Sequence, residues 1–299
     1  MTDLTGTATK RFRRTKAQIE QVDRQIIAVL QEDHPQSVRH VFYRMTDPRL
    51  PEPVPKTDSG PGNGYGVVQR RLLTLRETGA IPYSWITDAT RRGYFVNTYR
   101  SAGDFLRTVA GHYRADLWQQ SHFYCEVWVE SRSIAGVVQE TCEELAVSLY
   151  PAGGFTSWTL AYQAAEYINQ DARGRDCVIL YIGDYDPAGV LIDKAIEREL
   201  RKHLDPGIKL HFWRLGITEE QIERYDLPTK PRKANDKRSQ HILETVEAEA
   251  MPANVLRHML WECIENLLPD GALAVAKTAE ASERAHIERM AEIMGGGAE

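Results

Sequence analysis

The fold is decided by two stretches of sequence, Phe123-Tyr124-Cys125-Glu126-Val127-Trp128-Val129-Glu130 and Cys177-Val178-Ile179-Leu180-Tyr181-Ile182-Gly183-Asp184-Tyr185-Asp186-Pro187-Ala188-Gly189. Each begins with an apolar run, rich in β-branched and aromatic residues, that is typical of a buried strand. Helical patterns over residues 133–145 and 159–169 lie between the two runs. Because strands and helices alternate, the sequence predicts an α/β fold with a mainly parallel sheet flanked by helices.

Acidic residues follow both predicted strands. Glu130 ends the first, and Asp184 and Asp186 come directly after the second. Parallel sheets place their active sites at the carboxyl ends of strands, and residues two apart in an extended segment point the same way. Hard oxygen ligands of this kind favour magnesium. The sequence therefore predicts that Glu130, Asp184 and Asp186 bind Mg²⁺.

The first half of the chain carries three helical patterns and then a strand-like run at residues 81–86. Their apolar positions are Ile19, Val22, Ile26 and Val29, then Val38, Val41, Phe42 and Met45, then Val68, Leu72 and Leu75. This order predicts a winged-helix DNA-binding domain over residues 1–115, followed by a second domain over residues 116–299. Arg70 and Arg71 lie off the apolar line of the third helix, where a helix that reads DNA carries its basic residues.

Tyr43 is an unusual feature of the second helix. At about 100° per residue, the apolar positions of this helix cluster in one direction and Tyr43 points roughly 140° away from it. The pattern predicts that Tyr43 faces outward, with Arg39 one turn earlier on nearly the same side. A tyrosine is a poor nucleophile because its pKa is near 10, so a catalytic tyrosine needs a cation or a base beside it.

Composition limits the class of protein. The chain has 299 residues, of which 42% are hydrophobic, and its four cysteines form no CxxC pair that would indicate zinc. The net charge of −5 is unevenly spread, because residues 1–125 carry 18 basic and 12 acidic residues whereas the rest carry 19 and 30. A basic first half is suited to a polyanion. Since no run approaches the roughly 20 apolar residues that span a bilayer, we expect a cytoplasmic protein, associated with the nucleoid, that has no membrane contact.

Together these motifs resemble a known family. The segments 127–130 and 183–189 look like the TOPRIM domain, the metal-binding module of topoisomerases, primases and some nucleases. Ser37-Val38-Arg39-His40-Val41-Phe42-Tyr43 resembles the tyrosine motif of the topoisomerase VI A subunit and of its meiotic relative, which makes double-strand breaks. The order of the two motifs is also that of the family, and the resemblance covers residues 14–268. The chain is most similar to the compact standalone members.

The resemblance implies a reaction. Tyr43 would attack a phosphodiester of double-stranded DNA and form a phosphotyrosyl link, with Arg39 beside the phosphate and Mg²⁺ at the three carboxylates. Because each chain supplies one tyrosine, cleavage of both strands implies a homodimer, in which the tyrosine of one protomer meets the metal site of the other. The chain carries no ATP-binding motif, so ATP-dependent strand transport would need a separate GHKL-type ATPase subunit.

Two residues depart from the family motif, and two alternative functions stay open. His40 stands where the family usually has an acidic residue, and Ser131 where a lysine is common. The chain could instead be a TOPRIM nuclease that uses water as nucleophile, or a non-catalytic DNA-binding regulator. Two further segments carry charge and lie outside the predicted site. The 246–250 stretch, with its two glutamates, could add another carboxylate to the metal region, and a basic loop could either follow the DNA backbone or be a solvated loop. The basic residues of that loop are Lys230, Arg232, Lys233, Lys237 and Arg238.

Overall fold

Helices dominate the first half of the chain, and a parallel sheet organises the second. The computed structural model describes residues 14–60, 62–87, 96–153, 158–232, 239 and 241–295. The helices are α1 (Lys16–Glu32), α2 (Val38–Met45), α3 (Gly64–Glu77), α4 (Ala102–Ala110), α5 (Arg132–Glu144), α6 (Trp158–Asp171), α7 (Gly189–His203), α8 (Glu219–Arg224), α9 (Ala253–Glu265) and α10 (Ala272–Gly295). The strands are β1 (Gln36–Ser37), β2 (Ile86–Thr87), β3 (Phe123–Val129), β4 (Ser148–Pro151), β5 (Asp176–Ile182), β6 (Leu210–Gly216), β7 (Lys230–Pro231) and β8 (Glu244–Thr245).

The predicted parallel sheet is confirmed. It has four strands in the order β4-β3-β5-β6, and all three pairings are parallel. The two quoted runs form the central neighbours β3 and β5, with Val129 opposite Ile182. Because these residues end their strands in register, the segments that carry Glu130 and Asp184 leave the sheet side by side. The edge strand β4 was not predicted, since its four residues are half-exposed or exposed and show no apolar alternation.

Helices cover both faces of the sheet. Val127, Val129 and Leu180 point towards the face that packs with α5 and α9, whereas Trp128 and Tyr181 point towards α6 and α7. Since both faces are buried, β3 and β5 need apolar side chains at successive positions, which explains their continuous runs. The core on the α5 side extends without a break into the packing of α1, α2 and α3.

The three helices predicted in the first half are confirmed, and a capping box from Thr15 and Gln18 begins the first of them. The strand predicted at residues 81–86 is wrong for most of its length. Tyr83–Trp85 form a 3₁₀ turn, and β2 adds only two residues, parallel to β1. Pro82 directly precedes this turn. Because proline has a fixed φ and no N–H to donate to a neighbouring strand, it disfavours a strand at this position. The winged-helix assignment therefore stays a prediction.

The predicted domain boundary at residues 115 and 116 is bridged by helices. α4, from the first part, packs along α10, from the last. A Cβ on Gly103 would lie 2.7 Å from the carbonyl oxygen of Ala291, so the two helices approach closely at that glycine. Among the described residues, no helix combines the length and the apolar composition that crossing a membrane requires.

Candidate functional site

The acidic residues that follow β3 and β5 meet at one edge of the sheet. Glu130 accepts a hydrogen bond at Oε2 from the backbone N–H of Asp184, at 2.9 Å. Asp186 accepts at Oδ1 from the N–H groups of Ala188 and Gly189, at 2.8 and 2.6 Å, just before α7. The structure thus brings Glu130 against the Asp184 segment, as the register of the strands predicts.

Two glycines permit this close approach. A Cβ at Gly183 would lie 2.5 Å from the hydroxyl oxygen of Tyr181 and 2.8 Å from Glu130 Oε2. At Gly189 it would lie 2.2 Å from the carbonyl oxygen of Asp184. Because the atom at Gly189 is backbone, that position requires the absence of a Cβ, whereas a Cβ at Gly183 would force the tips of the Tyr181 and Glu130 side chains to shift.

Arg214 on β6 fixes the loop between the two glycines. One nitrogen of its guanidinium donates to the carbonyl oxygens of Gly183 and Asp184, at 3.1 and 2.5 Å. Another donates to the Asp193 carboxylate at 2.8 Å. Since arginine stays charged and its donors are fixed in a plane, this contact sets the direction of the loop.

A segment from later in the chain completes the acidic edge. Val246 pairs with Tyr185 through an antiparallel bridge, and the N–H of Ala248 donates to Asp184 Oδ1 at 2.8 Å. This pairing brings in two glutamates that were outside the predicted site. Glu249 is buried and accepts hydrogen bonds from Ser131, at 3.0 Å, and from Ser133. Glu247 lines a cleft of about 640 Å³ together with Asp184 and Asp186.

The electrostatics of the cluster fit a divalent cation. Burial, followed by the charges of Glu130 and Glu249, raises the pKa of Asp184 to about 8. Burial also raises the pKa of Glu130, with a contribution from Asp186. Carboxylates this close repel one another in their ionised forms, and a bound divalent cation would stabilise those ionised forms.

The hydrogen bonds described above use one oxygen from each of the three predicted ligands. The second oxygen of each carboxylate lies outside these contacts. Within the described residues, however, no three acidic, histidine or cysteine side chains already form a cluster that could hold a metal. Binding of Mg²⁺ at Glu130, Asp184 and Asp186 therefore stays a prediction.

The prediction that Tyr43 faces outward is wrong. Its side chain is 5% exposed, because the side of α2 that points away from the apolar core is itself covered. α2 packs against the 3₁₀ turn Ala248–Ala250, and the ammonium groups of Lys56 and Lys230 both lie 5.7 Å from the centre of the Tyr43 ring. Burial, together with the charge of Glu247, raises the pKa of Tyr43 well above its usual value.

Basic side chains surround the carboxylate of Glu247. Lys230 Nζ lies 2.8 Å from Glu247 Oε1, and Arg39 Nη1 lies 3.3 Å from Oε2. Lys56 donates to the carbonyl oxygen of Thr229. Burial and the charge of Lys230 lower the pKa of Lys56 to about 8. Three cations therefore lie beside Tyr43 at the acidic edge of the sheet, in positions suited to a phosphate group.

Ser131 and His40, the two residues that depart from the family motif, both form hydrogen bonds in the structure. Ser131 accepts a hydrogen bond from the N–H of Ile134 and so begins α5, in addition to its contact with Glu249. His40 is buried, and its Nδ1 lies 2.8 Å from the hydroxyl of Ser37. Burial, with a contribution from the charge of Arg257, lowers the pKa of His40 to about 3. His40 is therefore a neutral side chain in the core.

The two arginines predicted to bind DNA differ in their surroundings. Arg70 is exposed on α3. Arg71 forms two hydrogen bonds, of 2.7 and 2.6 Å, with the carboxylate of Asp23 on α1. Arg71 therefore joins two helices in this conformation, and binding of DNA by either arginine stays a prediction.

Several charged residues of this edge were not included in the site predicted from sequence, and they differ in how far the sequence could have indicated them. The sequence offered the stretch of Glu247 and Glu249 as a source of one further carboxylate for the metal region without choosing between them, and it showed Lys230 only as part of the basic loop. Lys56 lies in a Pro- and Gly-rich stretch and gave no signal. Lys233, Lys237 and Arg238 of the basic loop lie outside the described residues.

Three comparisons, with protein-family models, with curated proteins and with solved structures, gave no significant match.

Proposed function

We propose that this chain is a magnesium-dependent DNA strand-cleaving protein, similar to the A subunit of a type IIB topoisomerase, with Tyr43 as nucleophile. One observation carries the proposal. A tyrosine, three cations and a row of carboxylates occur together within a single chain, at the carboxyl edge of a parallel sheet. A structural tyrosine needs none of these neighbours, whereas transfer of a phosphoryl group to a tyrosine uses both cations and a metal held by carboxylates.

Each group has a role in the proposed reaction. Arg39, Lys56 and Lys230 would hold the phosphodiester by charge, because guanidinium and ammonium groups are the usual partners of phosphate. Glu130, Asp184 and Asp186 would hold Mg²⁺, which stabilises charge on the phosphate. Since Tyr43 is covered in this conformation, its attack requires the side chains of Lys56 and Lys230 to turn from the Tyr43 ring to the phosphate when DNA enters.

The proposal extends to the assembly. Cleavage of both strands of a duplex requires two tyrosines, and symmetric pairs are the commonest soluble oligomer, so we propose a homodimer. Strand transport would require a GHKL-type ATPase partner, because no ATP-binding motif occurs in the sequence. Without that partner, the chain would cleave or nick DNA independently of ATP.

The burial of Tyr43 favours one second candidate, a TOPRIM nuclease in which water attacks the phosphate. The same acidic edge would hold the metal, and Tyr43 would be a structural residue of the cleft.

Covalent adducts separate these functions. We would incubate wild-type protein and Tyr43→Phe with end-labelled duplex DNA and Mg²⁺, and then resolve the products on a denaturing gel. The proposal predicts a protein–DNA adduct in the wild type that disappears in Tyr43→Phe, while DNA binding is unchanged. Tyr83→Phe is the matched control, because Tyr83 is exposed and distant in sequence. Cut DNA with no adduct in either protein would indicate the nuclease, and intact DNA the regulator.

A further inference from the structure

The hydroxyl group of Tyr181 on β5 is buried without a hydrogen bond. The Tyr181 side chain is 0% exposed, and its hydroxyl oxygen has no hydrogen-bond partner among the described residues. Buried hydroxyl groups in native proteins usually have a partner, because leaving one unpaired costs free energy. A phenylalanine would fill the same place in the core without this cost. The hydroxyl group is therefore best explained by a partner that the protein binds.

This hydroxyl group lies at the acidic edge of the sheet. Val129 pairs with Ile182, so Glu130 leaves the sheet beside Gly183. Tyr181 and Gly183 are two residues apart in an extended segment and lie on the same side of it. A Cβ on Gly183 would be 2.5 Å from the Tyr181 hydroxyl oxygen and 2.8 Å from Glu130 Oε2. The hydroxyl group and a predicted metal ligand therefore border the same small space, which the glycine keeps free of a side chain.

Arg214 lies over the ring of Tyr181 but has no N–H group to spare for the hydroxyl. Its guanidinium carbon is 5.6 Å from the centre of the ring. It donates to the carboxylate of Asp193 and to the backbone carbonyl oxygens of Gly183, Asp184, Gly189 and Ile217. These contacts use every N–H group of an arginine. Arg214 therefore covers the ring and leaves the hydroxyl unpaired.

Two carboxylates lie on this side of the sheet, and both have other partners. Glu130 Oε2 accepts the backbone N–H of Asp184, at 2.9 Å. The carboxylate of Asp193 accepts from Arg214, at 2.8 Å. Neither forms a hydrogen bond with the Tyr181 hydroxyl.

We propose, on the basis of the proposed function, that Tyr181 is a positioning residue for Mg²⁺, and that its hydroxyl group forms a hydrogen bond with a water molecule bound to the ion. Mg²⁺ gives up its hydration water reluctantly and usually keeps several water molecules when carboxylates bind it. A phenolic hydroxyl group can both donate and accept a hydrogen bond, so it suits such a water. Because carboxylates, carbonyls and water are the ligands that Mg²⁺ prefers, the contact passes through water rather than directly to the ion.

Tyr181→Phe is the direct test, because phenylalanine keeps the ring in the core and removes only the hydroxyl group. We would measure thermal unfolding of both proteins without metal and over a series of Mg²⁺ concentrations. Without metal, the variant should unfold at the same temperature as the wild type or at a higher one, since an unpaired hydroxyl group is gone. The Mg²⁺ concentration that gives a set gain in stability should rise roughly 10- to 100-fold, the usual effect of losing a group that supports a metal site.

Tyr124→Phe is the matched control. The Tyr124 hydroxyl donates to Glu126 at 2.8 Å and lies near the start of β3, whereas Glu130 follows the end of that strand. Its loss should lower the unfolding temperature without metal and leave the gain from Mg²⁺ as in the wild type. If Tyr181→Phe also keeps the full gain from Mg²⁺, its hydroxyl group is structural and the proposal is overturned.

The contact with bound water has a readout of its own. Mn²⁺ prefers the same oxygen ligands as Mg²⁺ and is paramagnetic, so the relaxation of oxygen-17 in water measures how fast its bound water exchanges. Bound water should exchange faster in Tyr181→Phe than in the wild type, because one of its hydrogen bonds is lost. Equal exchange rates in the two proteins would refute the contact with water, even where the affinities for the metal differ.

Failure of the proposed function gives a different result. If the wild type neither binds Mg²⁺ in calorimetry nor gains stability from it, the metal site itself is refuted. If the wild type binds Mg²⁺ and Tyr181→Phe binds it equally well, only the role of Tyr181 is refuted. In an Asp184→Asn background, Tyr181→Phe should no longer change the response to Mg²⁺, because both residues act on the same ion. An effect of Tyr181→Phe that persists in that background would contradict the proposal.

Discussion

Glu126 is a carboxyl group buried inside the sheet, and its replacement by glutamine should change how the stability of the protein depends on pH. Tyr124 Oη and Trp128 Nε1 donate hydrogen bonds to its two oxygens, each at 2.8 Å. Burial, which outweighs these hydrogen bonds, raises the pKa of Glu126 from 4.5 to about 7. The folded protein therefore keeps a proton on Glu126 that the unfolded chain releases at lower pH.

The sign and size of the effect follow from this difference in pKa. Because the folded pKa is the higher one, the stability from Glu126 is complete below pH 4.5 and is lost as the pH rises to about 7. The difference corresponds to about 3 kcal/mol of unfolding free energy. Glutamine resembles the protonated acid, since its amide oxygen accepts from Trp128 and its N–H groups can donate to a tyrosine hydroxyl.

Urea unfolding of wild-type protein and Glu126→Gln between pH 5 and 8 measures the effect. The variant should gain about 3 kcal/mol relative to the wild type across this range, because titration of all other groups cancels in the comparison. Glu140→Gln, an exposed position on α5, should run parallel to the wild type. A Glu126→Gln curve that is also parallel would show that the buried carboxyl group is ionised throughout, and would refute the reasoning.

Three further predictions concern the metal, the DNA surface and the assembly. Asp184→Asn keeps the hydrogen bond from Ala248 but removes the carboxyl group that would ionise on metal binding, so calorimetric titration should show that Mg²⁺ binding is lost, and unchanged binding would exclude the site. Arg70→Ala should weaken DNA binding and lower its salt dependence by about one counterion, whereas Arg71→Ala should chiefly lower the unfolding free energy, by about 1 kcal/mol, because it breaks the pair with Asp23. Light scattering should give twice the mass of the chain, and a monomer that still cuts both strands would contradict the homodimer.

The sheet could be predicted from sequence because its signals are local. β3 and β5 are buried on both faces, so each is a continuous apolar run, and the residues that follow them are acidic. The pairing of these strands places Glu130 beside Asp184 without any knowledge of the rest of the chain. The N-terminal helices could be predicted equally well, since their apolar residues repeat at helical spacing.

The rest of the site depends on pairing between distant segments, which local patterns do not encode. Val246 reaches Tyr185 across about sixty residues, and this bridge, with the hydrogen bond from Ala248 to Asp184, brings Glu247 and Glu249 to the sheet edge. Lys56 arrives from an irregular stretch, where neither helical nor strand periodicity applies. A sequence pattern can identify such residues as charged, but their position is determined by the tertiary fold.

The error about Tyr43 has a different origin, and it bears on the proposed function. Helical periodicity identifies the apolar side of α2 correctly, but the expectation that the opposite side meets water holds only for a helix packed on one side. α2 is covered on both sides, and the neighbours of Tyr43 on its polar side are Lys56, Lys230 and Glu247. Burying these charged groups together costs free energy, which apolar side chains in the same place would not. The proposed chemistry at Tyr43 would account for a fold that keeps a tyrosine among partly buried cations and a carboxylate.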